Sequence, residues 1–313
     1  MNDVLSLNKY EANPKTAKLR PWYDVMSTGT SYGLINYNTD IWDVIKSDLV
    51  NVYISDVDHL GPGRVYLADG TELESDALLA HTGWKQVPSI QFLPEGIESE
   101  LGIPRTSGKG SIEVVSRSQQ VLLDEADTEI KEQLPILARQ RTPGPYGSNK
   151  AGLSPQDSKT GEPFMLYRFL VPSSERFLRY RDIVFVGLVS NFSNITNAHI
   201  QGLWTSAYLN GQLARDPGSA SILRDEKALA AIRREAVLHN RYGKWRYPQD
   251  WGADKSPSFI FDAVPYFDLL LGDLGVNSWR KGPFWREIWS AYGPRDYRGI
   301  NEEWLQNHGV EEN

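Results

Sequence analysis

A nucleophilic serine needs a tight turn that exposes its hydroxyl and a histidine to take its proton. Gly29-Thr30-Ser31-Tyr32-Gly33 has the G-x-S-x-G spacing of such a turn. A helix should start at once after it, yet Leu34-Ile35-Asn36-Tyr37-Asn38 forms a helix poorly. A serine hydrolase using Ser31, with His199 or His239 as base, is therefore a distant third reading, against an ordinary loop. Dinucleotide phosphates need glycines that let backbone N–H groups approach closely. Gly61-Pro62-Gly63 and Gly108-Lys109-Gly110 begin like G-x-G-x-x-G, but Tyr66 and Glu113 stand where the third glycine belongs. No G-x-x-x-x-G-K-[ST] occurs either. The five histidines, at positions 59, 81, 199, 239 and 308, lack metal-ligand spacing, and there is no cysteine. No metal site is expected, and thiolate, disulfide and iron–sulfur chemistry is excluded.

The most informative string runs from Val65 to Trp84. Val65-Tyr66-Leu67 and Leu73 flank Ala68-Asp69-Gly70-Thr71, a turn whose glycine can take positive φ. Asp76-Ala77-Leu78-Leu79-Ala80 then reads as a buried strand ending at His81-Thr82-Gly83-Trp84. Gly83 there could let backbone approach a cofactor, its N–H facing an anion or carbonyl. Alternatively the strand simply ends in a turn.

The remaining elements follow from periodicity. Asp40–Asp48 could be a short helix, and Val50–Val57 alternates as a half-buried strand. Ser116–Arg139 is helical, and residues 141–162 are a Pro-, Gly- and Ser-rich loop. Phe164–Val171 reads as a strand stopped by Pro172, and Ile183–Val189 is the most strand-like run of all. A helix follows, capped by Thr196 or Asn197, with Ile200, Leu203, Trp204, Ala207 and Tyr208 as its stripe. Further helices are expected at 222–241, 262–271 and 283–291, with Gly272 and Gly293 at ends. Phe284, Trp285, Ile288 and Trp289 have helical spacing and are expected in the core.

The chain has 313 residues, 40% hydrophobic and 23% charged, enough to bury a sizeable core. A formal net charge of −7 with no basic cluster argues against nucleic-acid binding. Arg233 and Arg234 belong to a mixed-charge, solvated helix face. No apolar run approaches the ~20 residues of a membrane span. The polar segment Met1–Leu19 lacks a secretory h-region. The expected location is cytoplasmic, and Asn191-Phe192-Ser193 and Asn194-Ile195-Thr196 are chance sequons. Residues 1–35, interrupted by Pro and Gly, are expected to pack poorly.

The 65–84 string resembles the flavin-containing monooxygenase-like flavoproteins, which have two dinucleotide-binding domains. Their D-G-T hairpin, D-x-hydrophobic-hydrophobic strand and A-T-G-[YW] end stand here as Asp69-Gly70-Thr71, Asp76-Ala77-Leu78-Leu79 and His81-Thr82-Gly83-Trp84. Arg181 to Gly187, then Ala198 and Gln201-Gly202-Leu203-Trp204, resemble the family's returning FAD-domain strand and following helix. Tyr266-Phe267-Asp268-Leu269-Leu270 with Asp296-Tyr297-Arg298-Gly299 resemble the C-terminal region of fungal members, some of which tailor secondary metabolites. The resemblance covers roughly residues 35–305. His81 stands where the family usually has alanine.

The resemblance implies an α/β chain, a partial two-dinucleotide-binding-domain flavoprotein fold with a β-meander and a helical C-terminal region. Residues 1–48 would be a remnant of the NADPH domain or a linker, 49–215 the C-terminal part of the FAD-binding domain, and 216–313 a helical C-terminal extension. The implied activity is an FAD-dependent, NADPH-linked monooxygenase acting on a small molecule. Thr82 and Gly83 would sit near the FAD; Gly187, Thr196 and Asn197 would lie by the flavin ring. Both glycine-rich phosphate loops are missing, so the chain is expected to be the C-terminal half of such an enzyme. The N-terminal half could be a separate chain. The competing reading is a truncated, non-catalytic remnant acting as a binding protein.

Overall fold

The structure is a computed structural model and describes residues 10, 13–19, 40–47, 49–80, 90–104, 116–138, 163–247 and 258–309. The chain divides into two units, Met1–Trp22 with Gly33–Lys85, and Tyr23–Tyr32 with Gln86–Asn313. It is a mixed helix-and-sheet protein with small sheets and mostly helical structure.

In the first unit, α1 (Pro14–Ala17) starts where the Asn13 side chain accepts from Lys15 N–H at 2.8 Å. Likewise α2 (Ile41–Lys46) is capped by Asp40, which accepts from Trp42 N–H at 3.0 Å. Tyr10 meets the Trp42 ring edge-on at 4.6 Å, Thr16 is fully buried, and Lys15 Nζ donates to Ser47 C=O at 2.9 Å. Thr16 is the buried residue among the described ones of 1–35 (10 and 13–19), and the rest of the segment expected to pack poorly lies outside the described residues.

The meander is present. β1 (Val57–Gly61), β2 (Arg64–Leu67) and β3 (Glu72–Glu74) form an antiparallel sheet in that order. Val65 and Leu67 alternate inward from β2. Gly70 has φ +88°, and Asp69 Oδ1 accepts from Thr71 N–H at 3.0 Å, so the turn forms as read. Two expectations fail. Residues 50–56 are outside the ladder, which begins at Val57. Residues 76–80 form no strand, and Leu78 and Leu79 are exposed. An apolar run specifies a wish for cover, not the neighbour that provides it.

In the second unit, α3 (Glu98–Leu101) precedes α4 (Arg117–Gln133), which opens with a capping box between Ser116 and Gln119. Pro135 starts a separate turn, α5 (Pro135–Ala138). β4 (Leu166–Tyr167) and β5 (Val171–Pro172) form a two-stranded hairpin. The single strand expected over 164–171 therefore folds back on itself. Arg168 and Phe169 make the reversal at φ +54° and +58°, conformations that cost non-glycine residues about 1–3 kcal/mol each. Burial of the Phe169 ring and a buried ion pair at Arg168 hold them there.

Then follow α6 (Glu175–Tyr180), α7 (Asn194–Leu209), α8 (Ala220–Leu223), α9 (Glu226–Arg246), α10 (Ala263–Leu274), α11 (Phe284–Trp289), a 3-10 turn (Pro294–Tyr297) and α12 (Ile300–Asn307). α7 and α10 form the centre of the core, with Ile200, Trp204 and Tyr208 packed in one cluster with Leu270, Leu271 and Leu274. α4 packs on α9 through Leu123, Ala126 and Val237. Arg241 grips both oxygens of Asp127 there, and Trp245 Nε1 donates to Oδ1 at 2.8 Å.

Several sequence expectations are corrected here. Ile183–Val189 forms no ladder; Phe185 N–H donates to Leu170 C=O at 2.7 Å, and the described sheets are antiparallel. A strand's pairing depends on distant segments, which local pattern cannot supply. α7 begins at Asn194, not at Thr196 or Asn197. Gly272 lies inside α10, and Gly275 at φ +72° ends it. Phe284, Trp285, Ile288 and Trp289 share a helix face, as their spacing requires, but all four are exposed. Spacing says which residues stand together, not what covers them.

One close approach carries a stability prediction. A Cβ on Gly218 would lie 2.3 Å from the Leu178 carbonyl oxygen and 3.0 Å from Arg181 Nε. Arg181 is held by its ion pair with Asp216, and the Leu178 oxygen is backbone. Gly218→Ala should therefore cost about 1–3 kcal/mol through forced backbone movement. Thermal unfolding followed by circular dichroism should show a melting point lowered by several degrees.

Candidate functional site

The segment between α6 and α7 brings together the sequence-expected residues that are described. Gly187 takes φ +86°, and a Cβ there would meet nothing within 4 Å. The glycine is needed for its backbone conformation, and the space beside it is open. Ser190 C=O accepts from Phe259 N–H at 2.8 Å, and Ser190 forms a parallel bridge with Ser258. Asn191 comes next, then Ser193, which leads into α7 without capping it.

Thr196 and Asn197 lie in the first turn of α7, and both are buried. No acidic residue stands in that turn. The positive end of a 16-residue helix is thus left with N–H groups that no side chain caps. Around it, Asn191 is 4% exposed with neither amide atom bonded, Asn197 is 5% exposed with Oδ1 unbonded, and Ser258 is 5% exposed with Oγ unbonded. A buried polar group without a partner costs about 1–3 kcal/mol. Three such residues at one helix end make a concentration of unmet hydrogen bonding.

The helix behind this end is fixed by charge. Asp273 on α10 is fully buried. It accepts Arg168 Nε at 2.7 Å, an Arg168 terminal nitrogen at 3.1 Å and Trp204 Nε1 at 3.1 Å. Arg168 also pairs with Glu235, and His239 lies 3.9 Å from that carboxylate. Gln201 Nε2 donates to Tyr266 OH at 2.9 Å, and Tyr266 OH donates to Arg168 C=O at 2.9 Å. Burial pushes the Tyr266 hydroxyl well above the ordinary phenol range, so it stays a neutral donor. Gln201 and Trp204 thereby tie the inner face of α7 to the strained 168–169 turn.

Of the sequence-expected site, Gly187, Thr196 and Asn197 fall on one continuous stretch ending in the first turn of α7. Thr82 and Gly83 lie outside the described residues, as do Ser31 and His81. His199 Nε2 is 3.0 Å from Asn301 Oδ1, and His239 belongs to the buried ion network. Among the described residues no cluster of His, Cys, Asp or Glu could hold a metal. Asn191 and Ser258 were not read as site residues. In the sequence Asn191 stands out only as part of a sequon, and its burial is a property of the fold.

No family model matches the chain, and no solved structure matches it. Curated relatives do. The chain is similar to FAD-dependent monooxygenases of Aspergillus nomiae (32% identical over 310 residues, 97% of this chain, 48% of the relative) and Aspergillus sclerotiorum (32% over 306 residues, 95% and 48%). A third, from Aspergillus versicolor, is 26% identical over 331 residues, covering 98% of this chain and 43% of the relative.

This chain is a relative of fungal FAD-dependent monooxygenases.

The chain spans about half the length of the curated relatives it matches. The α7 end offers buried amides that can donate or accept, an unpaired hydroxyl, and a positive helix terminus without an acid in its first turn. The diphosphate of FAD finds no glycine-rich fingerprint in this sequence. No helix among the described residues is long and apolar enough to cross a membrane.

Proposed function

We propose that residues 183–197, with Ser258, form the flavin-facing wall of an FAD-dependent, NADPH-linked monooxygenase that acts on a small molecule in the cytoplasm. The observation that carries this is the set of unbonded buried atoms on Asn191, Asn197 and Ser258 beside the uncapped start of α7. The edge of a flavin ring carries carbonyl oxygens and ring nitrogens, which an amide can meet in either sense. FAD, when bound, supplies electron transfer from NADPH to oxygen. The chain's own part is to orient the ring and exclude water. Asn191 and Asn197 would bond its heteroatoms, with Thr196 beside them. The N–H groups of α7 would favour negative charge on it. Gly187, Thr82 and Gly83 would let backbone pass close to the cofactor. Residues 49–215 would be the C-terminal part of the FAD-binding domain, with 1–48 and 216–313 flanking it. The resemblance of 266–270 and 296–299 to fungal members that tailor secondary metabolites suggests a substrate of that type.

The diphosphate would then be held by residues this chain does not carry, on an N-terminal half that could be a separate polypeptide. Losing that anchor removes several charge-assisted hydrogen bonds of about 1.5–3 kcal/mol each. The 313-residue chain should be purified without flavin and should show no NADPH oxidation with added FAD. Titration with FAD and with riboflavin, followed by flavin fluorescence, should give similar weak affinities. Asn191→Leu or Asn197→Leu should weaken both equally. Stoichiometric FAD in the purified chain, or FAD binding orders of magnitude tighter than riboflavin, would sink the missing-anchor argument. If neither flavin binds the folded chain, the non-catalytic remnant is the better reading.

A further inference from the structure

The α11 lobe presents apolar surface that no described residue covers. Trp279, Phe284, Trp285, Ile288 and Trp289 are 55–86% exposed. At ~100° per residue the four on α11 fall on one face about 140° wide. Trp279 stacks on Phe284 with ring centroids 5.8 Å apart, extending that face beyond the helix. Three exposed tryptophans in eleven residues exceed the scattered apolar exposure of an ordinary surface.

The lobe is held in shape from behind. Arg280 donates to Asn277, Asp296 and Arg298 carbonyls at 2.9, 2.7 and 3.2 Å and pairs with Glu303 at 3.0 Å. Lys281 Nζ donates to Asp296 Oδ2 and to Ala291 C=O, both at 2.8 Å. Glu287 accepts from Lys281 N–H at 2.5 Å and from Tyr292 OH. Polar groups are spent holding the base, and the aromatic rings stay outside it.

Charge selects the occupant. From Trp279 to Arg298 there are five lysines and arginines against two acids, in a chain of net charge −7. Arg280 and Lys281 are ion-paired, whereas Arg286, Arg295 and Arg298 are exposed and form no ion pair among the described residues. Tryptophan favours headgroup depth, where its ring is apolar and its N–H wet. Free guanidinium groups beside it complement lipid phosphates. We propose that the Trp279–Trp289 face docks on an anionic membrane surface, with Phe284, Trp285, Ile288 and Trp289 at headgroup depth and Arg286, Arg295 and Arg298 on the phosphates. The chain then lies on the membrane and does not span it.

Sedimentation of the full 313-residue chain with vesicles tests this. Binding should be strong to phosphatidylcholine vesicles containing about a third phosphatidylserine and weak to pure phosphatidylcholine. Trp285→Ser with Trp289→Ser, and separately Arg286→Glu with Arg295→Glu, should each lower partitioning at least about tenfold. All four side chains are exposed, so circular dichroism should show an unchanged fold. Tryptophan emission of the parent chain should shift blue with anionic vesicles. A folded chain that ignores both vesicle types overturns the proposal. So does a self-associated chain whose dimer, seen by analytical ultracentrifugation, dissolves with the tryptophan changes: the face would then be a contact between copies.

Discussion

Asp273→Ala is expected to destabilise the protein by about 3–5 kcal/mol, the cost of removing one partner from a buried ion pair. Asp273 side-chain exposure is 0% and that of Arg168 is 5%, so neither charge has water to fall back on. The substitution leaves Arg168 with Glu235 alone and frees the Trp204 N–H inside the core. It also releases the turn at Arg168 and Phe169, which adopts positive φ only under restraint. Urea denaturation followed by tryptophan fluorescence should show the lower midpoint. The double change Arg168→Met with Asp273→Leu should recover part of the loss, because both deeply buried charges then go together and only the part-exposed Glu235 loses its arginine. A double variant as unstable as Asp273→Ala would mean that the ion pair, rather than charge balance, is what the core needs. Since Trp204 sits two turns from Asn197 on α7, Asp273→Ala should also weaken any ligand held at that helix end.

Acidification from pH 6.5 to 4 should remove up to about 3 kcal/mol of stability through His239 alone. Burial, and then the Arg168 charge, push its pKa down to about 4, while Glu235 pulls it upward. Its side chain is 24% exposed and its ring lies 6.4 Å from Phe169. Above pH 6.5 the ring is neutral in both folded and unfolded chains and contributes nothing to the pH slope. Below that, the unfolded chain takes up a proton that the folded chain refuses, so stability falls until the folded pKa is reached. His239→Gln keeps a neutral polar side chain and should flatten the stability profile between pH 4 and 6.5. Chemical denaturation across that range, compared between the two proteins, reads the difference. An identical slope in both would show that Glu235 offsets burial and the Arg168 charge, so that His239 titrates alike in the folded and unfolded chains.

The sequence by itself determined what is local. The Asp69-Gly70-Thr71 turn, the β2 strand, the Ser116 cap of α4 and the apolar stripe of α7 all came from short-range chemistry: a side chain bonding its own backbone, or a period matched to a helix. The absence of cysteine and of a phosphate-binding fingerprint is likewise a statement about residues alone. The resemblance to flavin-containing monooxygenases was legible for the same reason, since it rests on ordered strings.

Tertiary structure decided everything that depends on a distant neighbour. Ile183–Val189 has a strand's composition, but pairing needs a second segment, and the run passes to α7 without a ladder. Phe164–Val171 looks continuous until Asp273, a hundred residues on, pulls Arg168 into a reversal. The aromatic residues of α11 share a face by periodicity, yet they are exposed because no element among the described residues lies against them. The polar atoms of Asn191 and Ser258 became a candidate site only when the Ser190–Ser258 bridge brought 258 beside the start of α7 and burial closed water off. Burial and pairing are properties of the assembled core, and no local pattern of residues contains them.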